Sequence, residues 1–511
     1  MSMTASGATG TPRKIETGCN GLAAGGGAAR PAVLMAALLL AACAPTLAAA
    51  PELRQPQTFA SERALRVAPE SAPTGSATPG NPAQGAWPGD RWWESYGDPQ
   101  LSALIEEGLR DSPSLEAAAA RVRQADALAQ GAGAANLPDV SANASVASVR
   151  QSLNMGFPDE FKSFLPQGWN TQGSASLRVS QQLDFFGRNR AKLSAARADA
   201  AAAEAEAAEA RLQLSTAIAQ AYADLSRFSA DLTASQDVAA LRERSAQLVT
   251  QRREAGLENR GVASQADAEL YAAQADIVAA RTNVALTRNR IAALLGKGPD
   301  RGLDISAPSE PALSSPTLPT ALAADLIGRR PDIVAARQRA EGAAQRVRAA
   351  RADFYPNVDL AAVVGLESLG LDVFSRGDSR FGQIGPALSL PIFSMGRLEG
   401  AYRGARAGYD EAVATYNQTL ADALRDVADA LVERRAATEE LERSQAALTA
   451  AEEAHRVARL RYEGGLSSYV EVLTVENRLV TQRRKVTELE ARAFASDIAL
   501  VRALGGGYSA S

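Results

Sequence analysis

The stretch LDFFGR at residues 183–188 returns in altered form as IFSMGR at residues 392–397. Each version ends in a Gly-Arg pair, Gly187-Arg188 in the first and Gly396-Arg397 in the second. The two pairs lie 209 residues apart. A motif that recurs at such a distance is a reason to look for other features at the same spacing.

Two further landmarks share this offset of 209 residues, namely Gly256 with Gly465, and the Leu-Gly pair at residues 295–296 with that at 504–505. An earlier Pro-X-Val motif, at residues 138–140 and 356–358, lies 218 residues apart instead. These spacings predict two copies of one unit, the first with about nine extra residues between its two strands.

Each unit has the same predicted order of elements. A helix is expected near residues 100–135 and again near 320–353, where Pro331 and Asp332 suit a first helical turn. Two strands follow, then a very long helix near residues 189–254 or 398–463. A glycine break and a shorter helix, which ends at Leu295 or Leu504, complete the unit.

Alternation of apolar and polar residues identifies the four strands. The apolar positions are Val140, Ala142, Ala144 and Val146; Ala175, Leu177, Val179 and Leu183; Val358, Leu360, Ala362 and Val364; and Ile384, Leu388, Leu390 and Ile392. Segments of this length, apolar on one face and polar on the other, are typical of a membrane β-barrel.

The second long helix has an eleven-residue apolar period. Its three series are Leu398, Tyr409, Leu420 and Leu431; Tyr402, Val413 and Leu424; and Ala405, Tyr416 and Val427. An eleven-residue repeat means about 3.67 residues per turn, which favours a nearly straight helix in a wall of helices. An ordinary bundle helix is the alternative that this period leaves open.

The composition argues against an enzyme and against a nucleic-acid partner. The chain has 511 residues, a formal net charge of −4 and a sequence pI near 5.5. It contains one histidine, His455, and two cysteines, Cys19 and Cys43, so it lacks the ligand clusters of most thiol or imidazole metal sites. We also find no phosphate loop, nucleophile elbow or paired-histidine zinc motif.

The N-terminus resembles an export signal. Basic residues precede an apolar run of about eleven residues that ends at Ala42, too short to span a bilayer. The basic region is long for a signal, which favours a start codon downstream of Met1. The run ends in LAAC at residues 40–43, which resembles a bacterial lipobox, so we expect Cys43 to be acylated. A plain signal peptide cleaved after residue 50 is the alternative.

Four strands per chain cannot close a membrane barrel, because an open edge in lipid leaves backbone groups unpaired. Copies of the chain must therefore pool their strands. Two copies would supply eight strands and three would supply twelve, with head-to-tail contacts closing the ring.

The order of motifs resembles the outer-membrane factor family of TolC-like channels, and specifically its NodT-type lipoproteins. The similarity spans residues 92–508. Its motifs are Trp92-Trp93, Asp98-Pro99, residues 183–188, Arg329-Arg330-Pro331-Asp332, Phe354-Tyr355-Pro356, residues 390–393, Gly396-Arg397 and residues 504–508.

The resemblance implies a mainly α fold with a small membrane β contribution. It implies a homotrimer with a twelve-stranded β-barrel, continued by a long periplasmic α-helical barrel. The expected function is an outer-membrane exit duct for small molecules, with a periplasmic adaptor and an inner-membrane transporter as partners and outer-membrane lipid around the barrel. No cofactor is expected beyond the lipid on Cys43.

The predicted domains follow from this resemblance. We expect a signal peptide at residues 1–42, a lipid-anchored tether rich in Pro, Ala, Gly, Ser and Thr at residues 43–90, and the two repeats at residues 91–300 and 301–511. A duct for secreted proteins is an alternative with the same architecture. A periplasmic coiled-coil scaffold without a pore is a third possibility, against which the four strands argue.

By resemblance, the periplasmic ends of the helix pairs form a gate. Tyr462 takes a gate-link position and Glu471 a pore-facing acidic position. Ser468 and Glu471 also fit a capping box, and that alternative stays open. Ser467 and Thr474 depart from the family pattern, as does Val262 in the first unit, so the gate could instead be held through Arg260. The alternative for Arg260, which we prefer, is a solvated turn residue.

Several other residues have simpler interpretations. Trp92 and Trp93 are expected to pack the start of the body onto the helices rather than to form an interfacial belt. Phe185 and Phe186 mark either the border between membrane and periplasm or ordinary packing. His455 is expected to be a surface or packing residue.

Overall fold

We describe the fold from a computed structural model of the chain. The described residues are 52–55, 58–59, 87–154, 156, 158–308 and 322–509. The predicted signal peptide and Cys43 lie outside them, and so does most of the predicted tether.

The first unit follows the predicted order. A short 3-10 helix at Trp92–Tyr96 leads into α1 (Pro99–Asp111) and α2 (Pro113–Ala134). Strands β1 (Asp139–Arg150) and β2 (Trp169–Leu183) come next. The helices that complete the unit are α3 (Arg188–Glu254), α4 (Arg260–Leu294) and the single turn α5 (Asp300–Leu303).

The second unit repeats this order. It consists of α6 (Leu322–Arg329), α7 (Pro331–Ala352), β3 (Asn357–Leu369), β4 (Arg380–Ser389), α8 (Met395–Glu463) and α9 (Tyr469–Ala503). The long helices α3 and α8 agree closely with the predicted boundaries. The loop between β1 and β2 is longer than that between β3 and β4, as the change of offset predicts.

The first helix of each unit is broken in two, which corrects the prediction of one continuous helix. The breaks fall at Ser112 and at Arg330, each of which precedes a proline and has an extended backbone with ψ of 124° and 119°. Proline clashes with a helical residue before it, so the helix ends there and restarts at the proline. Pro331 therefore opens α7, as predicted.

The strands form one antiparallel sheet in the order β1-β2-β3-β4 within the described residues. The register aligns one row of apolar residues across all four strands: Val140, Val179, Ala362 and Ile384. The neighbouring row is Ser141, Arg178, Val363 and Gln383, which is mostly polar. This confirms the predicted alternation, except that Leu390 and Ile392 lie beyond the end of β4.

The outer edges of β1 and β4 have no partner strand in the part of the chain that the structure describes. Val140 on β1 and Ile384 on β4 are 59% and 78% exposed. The sheet of a single chain therefore leaves both an apolar face and two open edges uncovered. Among the described helices, none combines the length and the apolar character needed to cross a membrane.

The main apolar core joins the start of the body to the helices of both units. Trp92 and Trp93 are 5% and 2% exposed, and they pack in a cluster with residues of α1, α3, α4 and α9. This confirms the packing role predicted for the two tryptophans. The eleven-residue period of α8 also marks its buried face, since Tyr402, Val413, Leu420, Leu424 and Val427 are buried.

Parts of the segment predicted as a tether lie against the body. Leu53, Phe59 and Trp87 pack onto the second core cluster, around Leu420 on α8. The backbone N–H of Arg54 donates to the side-chain oxygen of Asn417 at 2.9 Å. These described pieces are thus held by specific contacts with the body, in addition to linking it to the N-terminus.

Gly505, two residues after the end of α9, adopts a positive φ of 90°. A Cβ atom at this position would lie 2.0 Å from the carbonyl oxygen of Arg329. Gly97 also has a positive φ, of 68°, but a Cβ atom there would meet nothing within 4 Å. The two glycines share a backbone requirement and differ in the space around them.

We therefore expect Gly505→Ala to lower the stability by at least about 2 kcal/mol more than Gly97→Ala, because only the former adds a backbone overlap to the cost of a positive φ. Thermal unfolding of the two purified variants in detergent is the measurement. Equal midpoints for the two variants would contradict the close approach at Gly505.

Candidate functional site

The candidate site lies where the two helical hairpins, α3-α4 and α8-α9, make their turns. Both turns end a long helix with the same hydrogen bonds. The N–H groups of Leu257 and Leu466 donate to the carbonyls of Arg252 and Arg461, both at 2.8 Å. The glycines before them, at residues 256 and 465, have φ of 75° and 73°. This is the Schellman end of a helix, and it extends the duplication to individual hydrogen bonds.

The helices that leave the two turns begin differently. The side chain of Asn259 accepts a hydrogen bond from the N–H of Val262 at 3.1 Å and so caps α4. Ser468 precedes α9 but makes no side-chain cap. The capping box predicted for Ser468 and Glu471 is therefore wrong, because the Glu471 carboxylate faces Arg461 instead, at 2.8 Å.

Tyr462 joins the end of α8 to the turn of the first hairpin. Its side chain is 2% exposed, and its hydroxyl donates to Oε1 of Glu258 at 3.1 Å. The Arg252 guanidinium lies 4.7 Å from the centre of the ring. The same guanidinium approaches the Glu258 carboxylate at 3.8 Å. Tyr462, Glu258 and Arg252 thus form a link between the hairpins, called here the tyrosine link.

An apolar cluster supports the tyrosine link. The buried members from the first hairpin are Ala246, Val249, Ala263 and Ala266, and those from the second are Tyr462, Tyr469, Val472 and Leu473. Because Tyr462 lies in this cluster, burial raises the pKa of Tyr462 to about 12, and the Glu258 carboxylate adds to the shift. The hydroxyl therefore keeps its proton and stays a donor.

The other residues predicted for the gate take different places. Glu471 is part of an exposed ion pair, which is worth little in water. Arg260 is the exposed first residue of α4, and the described part of the chain offers it no hydrogen bond or ion pair. Thr474 donates to the carbonyl of Val470 on its own helix at 2.7 Å, and Val262 packs on the apolar cluster.

Arg252 and Glu258 were not among the residues predicted from the sequence. A signal for Arg252 was present, because it lies 209 residues before Arg461 and both arginines precede a glycine turn. Each contacts a carboxylate beyond its own turn, Arg252 that of Glu258 and Arg461 that of Glu471. Comparing the two copies position by position would have shown this pair of arginines.

His455 is half-buried on α8. Burial lowers the pKa of His455, and the positive charges of Arg459, Arg483 and Arg242 lower it further. This agrees with the packing role expected for it. Within the described residues there is no group of His, Cys, Asp and Glu side chains that could hold a metal ion.

The Gly-Arg pairs lie at the junction between sheet and helices. A cavity of about 260 Å³ there is lined by residues of both units, including Phe186, Tyr355 and Arg397. Phe186 stacks on Tyr355 with ring centres 4.7 Å apart, whereas Phe185 is 66% exposed. Phe186 is itself 48% exposed, so the stacking covers only part of its ring, and both interpretations of the two phenylalanines stay predictions.

The two Gly-Arg pairs are not equivalent in structure. Gly187 precedes α3 with a φ of 76°, while Gly396 lies inside α8 and has no positive φ. Arg188 forms an ion pair with Asp353 at 2.7 Å. Arg397 is exposed at the rim of the cavity.

Comparison with known proteins shows what this architecture is similar to. The sequence model of the outer membrane efflux protein family matches residues 104–297 and 322–506, which correspond to the two repeats. The fusaric acid resistance protein FusA of Burkholderia cepacia is 32% identical over 351 residues, which cover 68% of this chain and 65% of that relative.

Other relatives match over more of their length. The multidrug resistance outer membrane protein MdtP of Escherichia coli is 29% identical over 84% of this chain and 88% of its own. The crystal structure of the outer membrane protein VceC of Vibrio cholerae covers 82% of this chain and all of its own, at 41% identity with a TM-score of 0.78.

The solved relatives are channels with a β-barrel and a helical barrel, which confirms the predicted fold class and places the described body in the outer membrane and periplasm. The family model matches one segment in each half of the sequence, in agreement with the duplication on which the fold prediction was based. The chain belongs to the outer membrane efflux protein family.

Proposed function

We propose that the chain is one subunit of an outer-membrane exit duct through which small molecules leave the cell passively. The observation that carries this proposal is the four-stranded sheet, with its exposed apolar row and two unpaired edges in the described residues. In lipid, such edges must be paired, and only a closed ring of strands pairs them all. A periplasmic scaffold without a pore would have no use for this sheet.

A homotrimer is the assembly that we propose. Three copies joined β4 to β1 give a twelve-stranded barrel, which lies within the range of known membrane barrels. The proposed partners are a periplasmic adaptor and an inner-membrane transporter, which supplies the energy. The duct has no catalytic part in this scheme.

The names of the relatives favour small molecules over secreted proteins. FusA is a fusaric acid resistance protein and MdtP a multidrug resistance protein. Drugs or toxic compounds are therefore the proposed cargo class. A duct for secreted proteins remains the alternative, and the transporter that delivers the cargo decides between the two.

The hairpin turns are the proposed periplasmic gate. The tyrosine link holds the second hairpin against the first inside one chain, through a buried hydrogen bond and a cation over an aromatic ring. Glu471 and Arg461 lie beside it on the exposed side. In a trimer three copies of Glu471 would form a ring, in which like charges repel unless each keeps its arginine.

The lipid anchor at Cys43 is also a proposal, supported by the LAAC motif of residues 40–43. The described pieces near Leu53 and Trp87 pack onto the body.

The assembly and its pore can be tested together. Purified full-length protein should run as a trimer in mild detergent and produce discrete conductance steps in a planar bilayer. Monomers in detergent would contradict the trimer. No conductance, even after Tyr462 and Glu471 are replaced by alanine to loosen the turns, would count against a pore.

The tyrosine link predicts a specific effect. Tyr462→Phe removes a hydrogen bond to a carboxylate, worth about 1.5–3 kcal/mol, and should raise the mean conductance of inserted channels several-fold. Tyr271→Phe is the matched control, because Tyr271 is 68% exposed on α4. Equal conductance in the two variants would refute a gating role for Tyr462.

This link should also be insensitive to pH across the physiological range. The pKa of Tyr462 is raised from 10.0 to about 12, so the neutral donor is favoured in the folded state. Its contribution is fully present below the unfolded pKa and is lost as the pH rises through about 12.

Metabolic labelling with palmitate tests the anchor. Label should be incorporated into the wild type and into Cys19→Ala, because Cys19 lies in the predicted signal peptide. It should be absent from Cys43→Ala. Label that persists in Cys43→Ala would place the acyl group elsewhere.

A further inference from the structure

A charged side chain lies buried between the two hairpins, away from the turns. Arg242 on α3 has a side chain that is only 4% exposed. It lies twelve residues before the end of α3, which corresponds to about 18 Å along the helix. The tyrosine link does not reach it.

Arg242 contacts both of the other helices that pack around it. Its Nη2 donates to Oδ1 of Asn477 on α9 at 2.6 Å. Its Nη1 lies 3.2 Å from Oε1 of Glu476, also on α9. On α4, Glu269 approaches Nη2 at 3.7 Å. A single guanidinium thus connects the first hairpin to the second.

Apolar groups enclose this site along the helices. On one side lie Val238, Ala239 and Ala273, and on the other Ala246 and Val249. Burying charges between apolar clusters is unfavourable unless the charges stay paired. Moving α9 along α3 would separate Arg242 from Glu476 while both are still out of water. The pair therefore favours one position of the second hairpin over all neighbouring ones.

Glu476 adds a second buried ionisable group to this site. Its side chain is 0% exposed, and neither carboxylate oxygen has a hydrogen bond within the described structure. Burial raises the pKa of Glu476, Arg242 opposes the shift, and Glu269 adds to it. Arg242 is therefore the main group that stabilises the negative charge of the buried Glu476 carboxylate.

Other charged groups near the site do not replace Arg242. The positive charge of Arg242 also helps to lower the pKa of His455 on α8, after burial and the charges of Arg459 and Arg483. Burial also raises the pKa of Tyr469, and Glu476 adds to that shift. A second ion pair between the hairpins, Arg484 with Asp276 at 2.7 Å, is about half exposed and therefore screened by water.

We propose that Arg242 is a latch, a positioning residue that holds the second hairpin against the first and keeps the channel closed independently of the tyrosine link. The inference rests on the proposed channel function. Opening separates α9 from α3 and exposes Arg242, Glu476 and Asn477 to water. In the closed arrangement the three side chains stay paired with one another.

The test compares channels that all carry the full-length chain. Arg242→Met leaves the Glu476 carboxylate buried without its cation, and we expect mean conductance per inserted trimer to rise at least about tenfold. The double variant R242M/E476M replaces the whole pair by apolar groups of similar size, and its conductance should return close to that of the wild type. Such a return would show that the rise in R242M comes from the unpaired Glu476 carboxylate and not from the lost packing of the arginine side chain.

The matched control is Arg492→Met. Arg492 pairs with Glu440 at 3.6 Å inside the second hairpin, and both side chains are about half exposed. Its conductance should equal that of the wild type. Arg242→Lys is measured alongside, because it keeps the charge but loses the two-pronged contact, and it should give an intermediate rise.

Wild-type conductance in R242M, or in R242K where R242M does not assemble, would overturn the latch. So would a double variant that conducts as freely as R242M. In each of these cases Tyr462→Phe still conducts, so the channel proposal survives. If no variant conducts although trimers have inserted, the channel proposal fails and the latch fails with it.

Discussion

The need to pair every backbone group of the sheet is the constraint on which the rest of this architecture depends. One chain supplies four strands, and the edges of β1 and β4 find no partner in its described part. A bilayer offers no water to satisfy those edges, so the barrel has to be completed by other copies. Once the ring of strands is closed by symmetry, the hairpins that continue from it in each chain are carried into the same ring. The assembly of the helical part therefore follows from the assembly of the sheet.

Duplication inside the chain explains why its two hairpins match in backbone and differ in side chains. Both turns use a glycine in the left-handed region and the same pair of hydrogen bonds, because the backbone end of a long helix has few alternatives. The side chains around them have diverged. Asn259 caps α4, while Ser468 makes no cap, and Glu471 pairs with Arg461. The tyrosine link needs this asymmetry, since it requires an acid on one turn and an aromatic ring on the other.

The order of elements and the ends of both long helices could be predicted, because repeat spacing and strand alternation act over many residues. The features that the sequence-based prediction missed depend on single residues. Ser112 interrupts the helix because Pro113 follows, so this proline was the available signal for a break that the prediction of one continuous helix missed. Gly396 matches Gly187 in sequence, but α8 begins at Met395 and so takes the glycine into its first turn. The pairing of Glu471 with Arg461 depends on tertiary geometry that a local capping motif does not contain.

The contacts between hairpins differ in how far water can weaken them, and this determines which of them can hold a gate. An exposed pair such as Glu471 with Arg461 is screened and exchanges easily with solvent. A buried pair behaves differently, because separating it leaves two charges in an apolar surrounding, so intermediate positions are unfavourable. Tyr462 on α8 and Arg242 on α3 are both buried, and they join the same two hairpins at two different levels. Two such contacts at different heights resist rotation as well as separation of the hairpins, which a single contact at the turn could not do. A gate held in this way has a small number of discrete positions, and its opening requires both levels to be released.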